Sequence, residues 1–368
     1  MRSTLKITLL AVISAVYFIG CEGDYRQMAV GANAEILVVM DSTKAAQSAT
    51  ALAIRETYGA PLMTIPRRSA QYDLRFRLLN TNRQLENIQQ HRNIIFAATL
   101  DEDSNVGQYV RAILSEAVKD RIRSGDLLQI PLRDRWAQDQ WVMIYVGNDD
   151  ETLAQHIRKN AGKSIKELHE LEMPRWRRYI YRRAEQVQLA QNIMDAYGWS
   201  FRIQHDYRLG VDTLNFVTLR RFTHDNDRWI WVWWQDDVAS IDHIDKEWIN
   251  TTRDSLNQHY MRGSRDSSFV TTEYREPMSF RDDLVINGKQ TFETLGLWRM
   301  EFDLMGGPFV NYVMYDEQHQ RLYMMEYGQF APRWNKRNFV YQFQAMARTF
   351  ISDPSAARKN EEEDEISI

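Results

Sequence analysis

The sequence predicts an α/β (α+β) protein with two related mixed-sheet units that are joined by long helices. Apolar runs of strand length alternate with helical patterns along most of the chain, which indicates sheets covered by helices. Much of this order occurs twice, which indicates an internal duplication. The chain has 368 residues, of which 44% are hydrophobic, and this is enough apolar material for two ordinary domains.

The first α/β unit is predicted over residues 35–160. Its first strand, 36–40, is a continuous apolar run, as expected of a strand that is buried on both faces. Asp41 follows as the N-cap of a helix that reaches about Tyr58, where Gly59 ends the pattern. The remaining elements of this unit are predicted as strands over 76–79, 93–100, 127–132 and 141–146 and a helix over 105–123.

Residues 161–197 are predicted to form the linking helices, because this stretch contains few helix breakers apart from Pro174. Proline suits the first turn of a helix, so one helix is expected to begin near Arg175. The second α/β unit is predicted over 198–352. Its last elements are expected to be a hairpin over 309–315 and 322–327 and a helix over 336–350.

Five local matches in the same order predict the duplication. Tyr58-Gly59 and Tyr197-Gly198 each end a helical pattern, and Trp141 and Trp298 each lie in a later strand. Between these positions, each half has similar strands, an acidic turn and a long helix. A generic α/β pattern rarely repeats in this way, so we expect the two units to share a strand order.

The first 20 residues resemble the signal peptide of a bacterial lipoprotein. A positively charged start precedes the uncharged run 7–20, which is too short to span a bilayer. The run ends in a lipobox-like sequence at Cys21, the single cysteine of the chain, which therefore has no disulfide partner within it. We expect cleavage before Cys21, lipid on its sulfur and a tether over 21–34, so the membrane is a predicted partner.

Charge and motifs exclude several functional classes. The net charge is −4, part of it in an acidic tail predicted to be flexible over 353–368, so no positive field exists to attract nucleic acid. The sequence lacks the His-Glu-x-x-His, Gly-x-Ser-x-Gly and phosphate-binding glycine motifs. We therefore predict no catalytic residue, no metal and no cofactor.

Three other segments allow both a functional and a structural interpretation. The acids within 236–245 suit a hard cation, but they also suit helix capping and solvation. The arginine-rich stretch 175–183 suits docking to anionic lipid or an acidic partner, or a solvated helix face. The tryptophan-rich run 229–234 suits an aromatic binding platform, or a central strand that is covered on both sides.

The most specific-looking segment is Met305-Gly306-Gly307-Pro308-Phe309. Two glycines before a proline suggest a rigid turn, because glycine allows unusual torsions and proline fixes its own φ. The structural interpretation is that this turn only connects two strands. A turn whose bare backbone approaches a partner is the functional alternative, and we predict a contact surface formed by Met305, Gly306, Gly307, Pro308 and Phe309 with Trp298.

The segments Gly296-Leu297-Trp298 and Met305-Gly306-Gly307-Pro308-Phe309-Val310, together with the lipidated cysteine, resemble a family of uncharacterised Bacteroidota lipoproteins, a domain of unknown function. The likeness covers nearly the whole mature chain. It implies an outer-membrane lipoprotein of the cell envelope that faces the periplasm or the cell surface, and it implies no reaction.

The predicted function is therefore non-catalytic. We expect a lipid-anchored cell-envelope protein that binds an envelope protein or a glycan, or that supports envelope assembly. The alternative is a hydrolase that acts on envelope material with paired carboxylates. Two facing carboxyl groups with raised pKa in a cleft would favour the hydrolase, whereas a broad apolar groove without titratable groups would favour binding.

The lipid anchor is testable through Cys21→Ser. Without the acceptor thiol, we expect the variant to lose acyl labelling and to remain either unprocessed or soluble. Metabolic labelling with an alkyne fatty acid and membrane fractionation measure both effects. Membrane partitioning and processing that match the wild type would contradict the lipoprotein prediction.

Overall fold

The computed structural model describes residues 25–62, 69–213, 215–265 and 267–353. The chain divides into two compact units, one formed by residues up to Ser48 and Arg75–Leu153, the other by Ala49–Leu74 and the residues from Ala154 onward. The mixed α/β class with two sheets is thereby confirmed. The predicted signal peptide, Cys21 and nearly all of the acidic tail lie outside the described residues.

The sheet of the first unit has five strands, of which the central three are parallel. They are β1 (Glu35–Val39), β2 (Asp73–Arg77), β3 (Asn93–Thr99), β4 (Gln129–Arg133) and β5 (Trp141–Gly147), in the order β2-β1-β3-β5-β4. Strands β1, β3 and β5 run parallel, and β4 is antiparallel to β5. Every residue of β3 and β5 is buried, as their continuous apolar sequences predict.

The helices before β5 are shorter than predicted. They are α1 (Ser42–Ala45), α2 (Ala49–Thr57), α3 (Asn82–Gln89), α4 (Asn105–Ile113) and α5 (Glu116–Arg123). The single helix expected over 105–123 is two helices, because Leu114 is extended and Ser115 caps the second helix by accepting from the Val118 amide. Asp41 caps α1 as predicted, with its side chain 2.9 Å from the Thr43 nitrogen.

The sheet of the second unit has eight strands, and every pairing between them is antiparallel. They are β6 (Arg208–Thr213), β7 (Phe216–Thr223), β8 (Asn226–Gln235), β9 (Val270–Thr272), β10 (Ser279–Ile286), β11 (Lys289–Met300), β12 (Gly306–Asp316) and β13 (Arg321–Phe330). Their order is β10-β11-β12-β13-β8-β7-β6, with β9 pairing with β11. The two edge strands β10 and β6 each contain an irregularity in their ladder. The hairpin formed by β12 and β13 is the one predicted from the sequence.

Among the described residues, four further helices follow β5: α6 (Asp150–Tyr181), α7 (Val187–Tyr197), α8 (Lys246–Tyr260) and α9 (Arg337–Ala347). The expectation that a helix begins near Arg175 is wrong, because α6 continues through Pro174. The side chains around the proline are buried, namely Met173, Trp176 and the ion-paired Glu172 and Arg175. This packing holds the turns before and after Pro174 in one helix. Along the described ranges, none of the helices combines the length and apolar composition that crossing a membrane requires.

The predicted internal duplication needs correction. The first sheet has a parallel centre, whereas the second is antiparallel throughout, and their strand orders differ. Trp141 begins a central parallel strand, but Trp298 lies near the end of an antiparallel one. The similar local sequences reflect the common needs of buried strands and helix ends, and they do not extend to a shared topology.

A buried ion pair lies between α8 and the sheet of the second unit. Arg253 donates from Nε to one oxygen of Glu326 at 2.6 Å and from Nη2 to the other at 3.0 Å, and both side chains are at most 1% exposed. Arg253 also donates to the Thr272 hydroxyl at 2.6 Å, and Asn311 donates to Glu326 at 3.1 Å. The guanidinium group lies 3.7 Å from the centre of the Phe309 ring. This pair is therefore fully enclosed and hydrogen bonded.

The segment 305–309 is not the turn that we expected. Gly306, Gly307 and Pro308 begin β12, where Gly307 lies opposite Trp298, and the connection from β11 comes earlier, over 301–305. Trp298 and Phe309 belong to the buried core that also contains residues of α8. Their burial removes them from the predicted contact surface, whereas a role for the partly exposed Met305 and Gly306 stays a prediction.

Gly307→Ala should destabilise the protein, contrary to what a free turn would allow. A Cβ at this position would lie 2.0 Å from the Gln329 backbone oxygen on the neighbouring strand, so the pairing of β12 and β13 must shift. We expect the free energy of unfolding in urea to fall by about 2 kcal/mol or more. Gly162→Ala is the matched control, because a Cβ there meets open space on a helix, and it should leave stability unchanged or raise it. Equal stability of the two variants would contradict the strand assignment.

Candidate functional site

A cavity of about 430 Å³, with charged groups set in a mainly apolar wall, lies within the second unit. It is lined by side chains from α6, β10, β11, α9 and the segment after α2. These residues are Leu62, Gln71, Tyr72, Gly162, Ile165, Lys166, His169, Ser279, Arg281, Asp283, Glu293, Leu295, Tyr341 and Gln344. The volume falls within the ~300–1,000 Å³ that is usual for small-molecule sites.

The periodicity of each element explains why these residues converge. On α6, Gly162, Lys166 and His169 are spaced by four and three residues and so share one helix face. On β10, Ser279 and Arg281 are two residues apart and share one face, and the irregularity that follows Arg281 brings Asp283 to the same cavity. Glu293 on β11 lies directly opposite Arg281 in the ladder, which makes these two residues a cross-strand pair.

The charged side chains in and beside the cavity are paired. Arg281 Nε lies 3.5 Å from Glu293 Oε1, and Lys166 bonds Asp283. Next to them, Arg348 donates to Glu170 at 2.9 Å. The lining residues therefore contribute two positive and two negative charges, which cancel.

Glu293 is the most enclosed of these groups and is fixed from three sides. Its side chain is buried, and it accepts hydrogen bonds from the Tyr312 hydroxyl at 2.5 Å and from Gln344 Nε2 at 3.2 Å. Arg281 is the third neighbour. A carboxylate held by this many donors has a fixed position, as a binding site requires.

The electrostatic environment fixes the protonation states. Desolvation, followed by the charges of Arg348 and Arg281, lowers the pKa of His169 to about 3, so its imidazole is neutral at neutral pH. Desolvation alone would raise the pKa of Glu170, but the charge and hydrogen bonds of Arg348 outweigh it, and the net shift is downward. The hydrogen bond from Lys166 lowers the pKa of Asp283. These two carboxyl groups are therefore ionised.

Aromatic rings form part of the cavity wall. Tyr341 donates from its hydroxyl to the Gln71 backbone oxygen at 3.1 Å, and its ring meets the His169 ring edge to face at 5.4 Å between centroids. Tyr72 is almost fully buried beside them. Because its hydroxyl is bonded to Gln71, the Tyr341 ring is held in a defined orientation.

The residues singled out in the sequence lie elsewhere. Trp298 differs in parity from Glu293 along β11 and so faces the other side of the sheet, in the core against α8. The cavity residues escaped sequence analysis because they come from five separate segments and form no local motif. The signal that could have been used is the run of polar residues on β10, in which Ser279 and Arg281 alternate with Phe280 before Asp282 and Asp283.

The acidic segment 236–245 does not form a cation site. Asp236 pairs with Arg321 at 2.5 Å, and Asp245 caps α8 by accepting from the Trp248 amide at 2.8 Å. Asp242 bonds the nearby Ser240 hydroxyl. Across the described ranges and excluding their gaps, no group of His, Cys, Asp and Glu side chains has a geometry that could hold a metal.

The tryptophan-rich segment follows its structural interpretation, whereas docking by the arginine-rich segment stays a prediction. Arg175 is buried and paired with Glu172, and Arg182 stacks on the Tyr179 ring at 4.0 Å. The run 229–234 lies in β8, a strand with neighbours on both sides, and all of its residues except Trp233 are buried. The tryptophans of this run therefore belong to the core and do not form an exposed platform.

The neutral state of His169 predicts a pH dependence of stability. Its pKa is lower in the folded protein than the value of 6.5 in the unfolded chain, so the unfolded state binds the proton more readily. Stability from this residue is complete above pH 6.5 and is lost as the pH falls from there towards 3. Urea unfolding at pH 7.5 and 5.0 should show a smaller acid-induced loss for His169→Gln than for the wild type. His224→Gln, at an exposed imidazole, is the control, and equal losses in both variants would contradict the assignment.

Comparisons with known proteins agree with the two-unit architecture. A family model described as Domain of unknown function (DUF8532) matches residues 29–181, and another described as Domain of unknown function (DUF4837) matches residues 186–349. No curated protein matches the chain.

Solved structures give only a distant likeness. The Ran-binding protein Mog1p of Saccharomyces cerevisiae is 11% identical, with a TM-score of 0.28 over 44% of this chain and 93% of that chain. A variant of the protein Mog1 is 12% identical, with the same TM-score over 44% of this chain and 95% of that chain.

The two family models together show that the chain consists largely of two successive segments, each similar to a different uncharacterised domain family.

Proposed function

We propose that the protein is a lipid-anchored cell-envelope protein whose second unit binds a small polar ligand without transforming it. The observation that carries this proposal is the cavity lined by two ion-paired carboxyl groups, with the lowered pKa of Asp283, and by the neutral imidazole of His169. Such a lining offers fixed hydrogen-bonding groups to a ligand. It offers no pair of groups that are poised to exchange a proton near neutral pH.

The alternative, a hydrolase with paired carboxylates, has weaker support. Glycoside hydrolysis uses one carboxyl group of raised pKa as an acid beside a second, ionised carboxylate. The pKa values of Glu170 and Asp283 are lowered, which is opposite to what the acid requires. Desolvation does raise the pKa of Glu326, but its side chain is only 1% exposed and is bonded to Arg253 in the core.

The proposed location in the cell envelope rests on the sequence. A signal peptide and lipid on Cys21 would tether the protein to the outer membrane, on the periplasmic or the surface-exposed side. In either position, small polar molecules, peptides and glycans of the envelope are within reach. The net charge of −4 does not favour nucleic acid as a partner.

A blocked cavity provides the decisive experiment. Gly162 lines the cavity, and a Cβ there meets open space, so Gly162→Phe should fill the cavity with little change to the fold. Lys163→Phe, one residue further along α6 on an exposed position, is the matched control. Each protein is mixed with millimolar sugars, amino acids and small carboxylic acids, and its melting temperature is measured.

We expect at least one compound to raise the melting temperature of the wild type and of Lys163→Phe, but not of Gly162→Phe, because a ligand stabilises only the state that binds it. Mass spectrometry of the same mixtures should recover the compound unchanged. The proposal fails if no compound stabilises the wild type, if Gly162→Phe responds equally, or if the compound is converted to a product.

A further inference from the structure

We infer that the ligand of this cavity is uncharged and rich in hydroxyl groups, which makes a saccharide unit the chemical class that it takes. This inference rests on the proposed binding function and adds the identity of the ligand class. Three properties of the lining carry it: the balance of its charges, its mixture of donors and acceptors, and its apolar wall.

The first property is electrical neutrality. Lys166 is hydrogen bonded to Asp283, and Arg281 Nε lies 3.5 Å from Glu293, so the charges of the lining sum to zero. A ligand with a net charge would leave one charge without compensation in a partly enclosed space, which is unfavourable. An uncharged ligand avoids this cost while still meeting ionised groups.

The second property is the close mixture of donors and acceptors. Arg281, Lys166 and Gln344 offer N–H groups, whereas Glu293 and Asp283 offer carboxylate oxygens. Arg281 lies within 4 Å of three carboxylates, so the positive and negative groups are interspersed and do not form two separate poles. A zwitterion needs separate poles. A hydroxyl group both donates and accepts, and therefore suits each point of such a surface.

The third property is the apolar part of the wall. Leu62, Ile165 and Leu295 line the cavity together with the rings of Tyr72 and Tyr341. A sugar ring presents C–H groups on its faces and hydroxyl groups around its edge. It can therefore pack a face against Leu62 and Ile165, which are partly exposed, while its edge meets the charged groups. The charged groups then form strong, charge-assisted hydrogen bonds without a charged ligand.

The test compares sugars that share one pyranose ring and differ in net charge through a single substituent. Glucose and galactose are the uncharged probes, glucosamine and galactosamine their cationic counterparts, and glucuronate and galacturonate their anionic ones. Saturation-transfer NMR and titration calorimetry with the wild-type chain measure binding at pH 7. We expect at least one uncharged sugar to bind about tenfold more tightly than both of its charged counterparts, which is the scale of one partly screened charge.

Two substitutions in the ion pair of Lys166 and Asp283 should change this preference in opposite directions. Both side chains are about half-exposed, at 53% and 54%, so loss of the pair costs little stability. Lys166→Gln leaves a negative charge and should shift the preference about tenfold towards the amino sugar, whereas Asp283→Asn should shift it towards the uronate. Lys119→Gln, which breaks an exposed ion pair in the first unit, should leave the preference unchanged.

The possible failures are distinguishable. If a charged sugar binds the wild type more tightly than the uncharged one, or if the two substitutions fail to shift the preference in opposite directions, the saccharide inference is wrong. If no sugar binds but another polar compound binds and is excluded by Gly162→Phe, the inference is wrong and the proposed binding function stands. If no polar compound binds at all, both fail.

Discussion

The ion pair between Arg253 and Glu326 is the constraint on which the second unit most depends. Two charges removed from water are costly, and they are tolerated here because two parallel hydrogen bonds join them and further donors and acceptors surround them. Loss of one partner from such a pair typically costs about 3–5 kcal/mol. The two hydrogen bonds therefore tie one position of α8 to one position of β13.

One strand that contacts this ion pair also contacts a residue of the cavity on the opposite face of the sheet. On β12, Asn311 donates to Glu326 on the side of α8, and the next residue, Tyr312, donates to Glu293 on the side of the cavity. Because successive side chains of a strand point to opposite faces, a change in register would displace both contacts together. The hydrogen bonds around Glu326 and those around the cavity therefore lie on opposite faces of the same sheet and depend on the same register.

The parts of the fold that the sequence predicts are those with a local physical cause. Continuous apolar runs identified β1, β3 and β5, and the short polar link identified the hairpin of β12 and β13. The break at Leu114 and the continuity of α6 through Pro174 were missed, because tertiary packing and a serine cap decide them.

The candidate site is harder to predict from the sequence than the fold is. Its defining contact pairs Arg281 with Glu293 across a hairpin, and it becomes visible only when the register of β10 and β11 is known. The glycine and proline segment drew attention by its composition, but its glycines are required where Gln329 and Trp298 approach the backbone closely. Unusual composition there reflects steric need within a strand, which a single sequence does not distinguish from function.

The irregular edge strands bear on whether the sheet of the second unit can add strands from other molecules. The ladder of β6 shifts between Leu209 and Asp212, where the Val211 amide bonds the Thr218 hydroxyl instead of a backbone oxygen. The ladder of β10 shifts between Arg281 and Leu284, beside exposed aspartates. An open sheet edge with regular spacing invites another strand to add to it, and bulges and charges oppose this. Another molecule would therefore find no regular ladder to extend along β6 or β10.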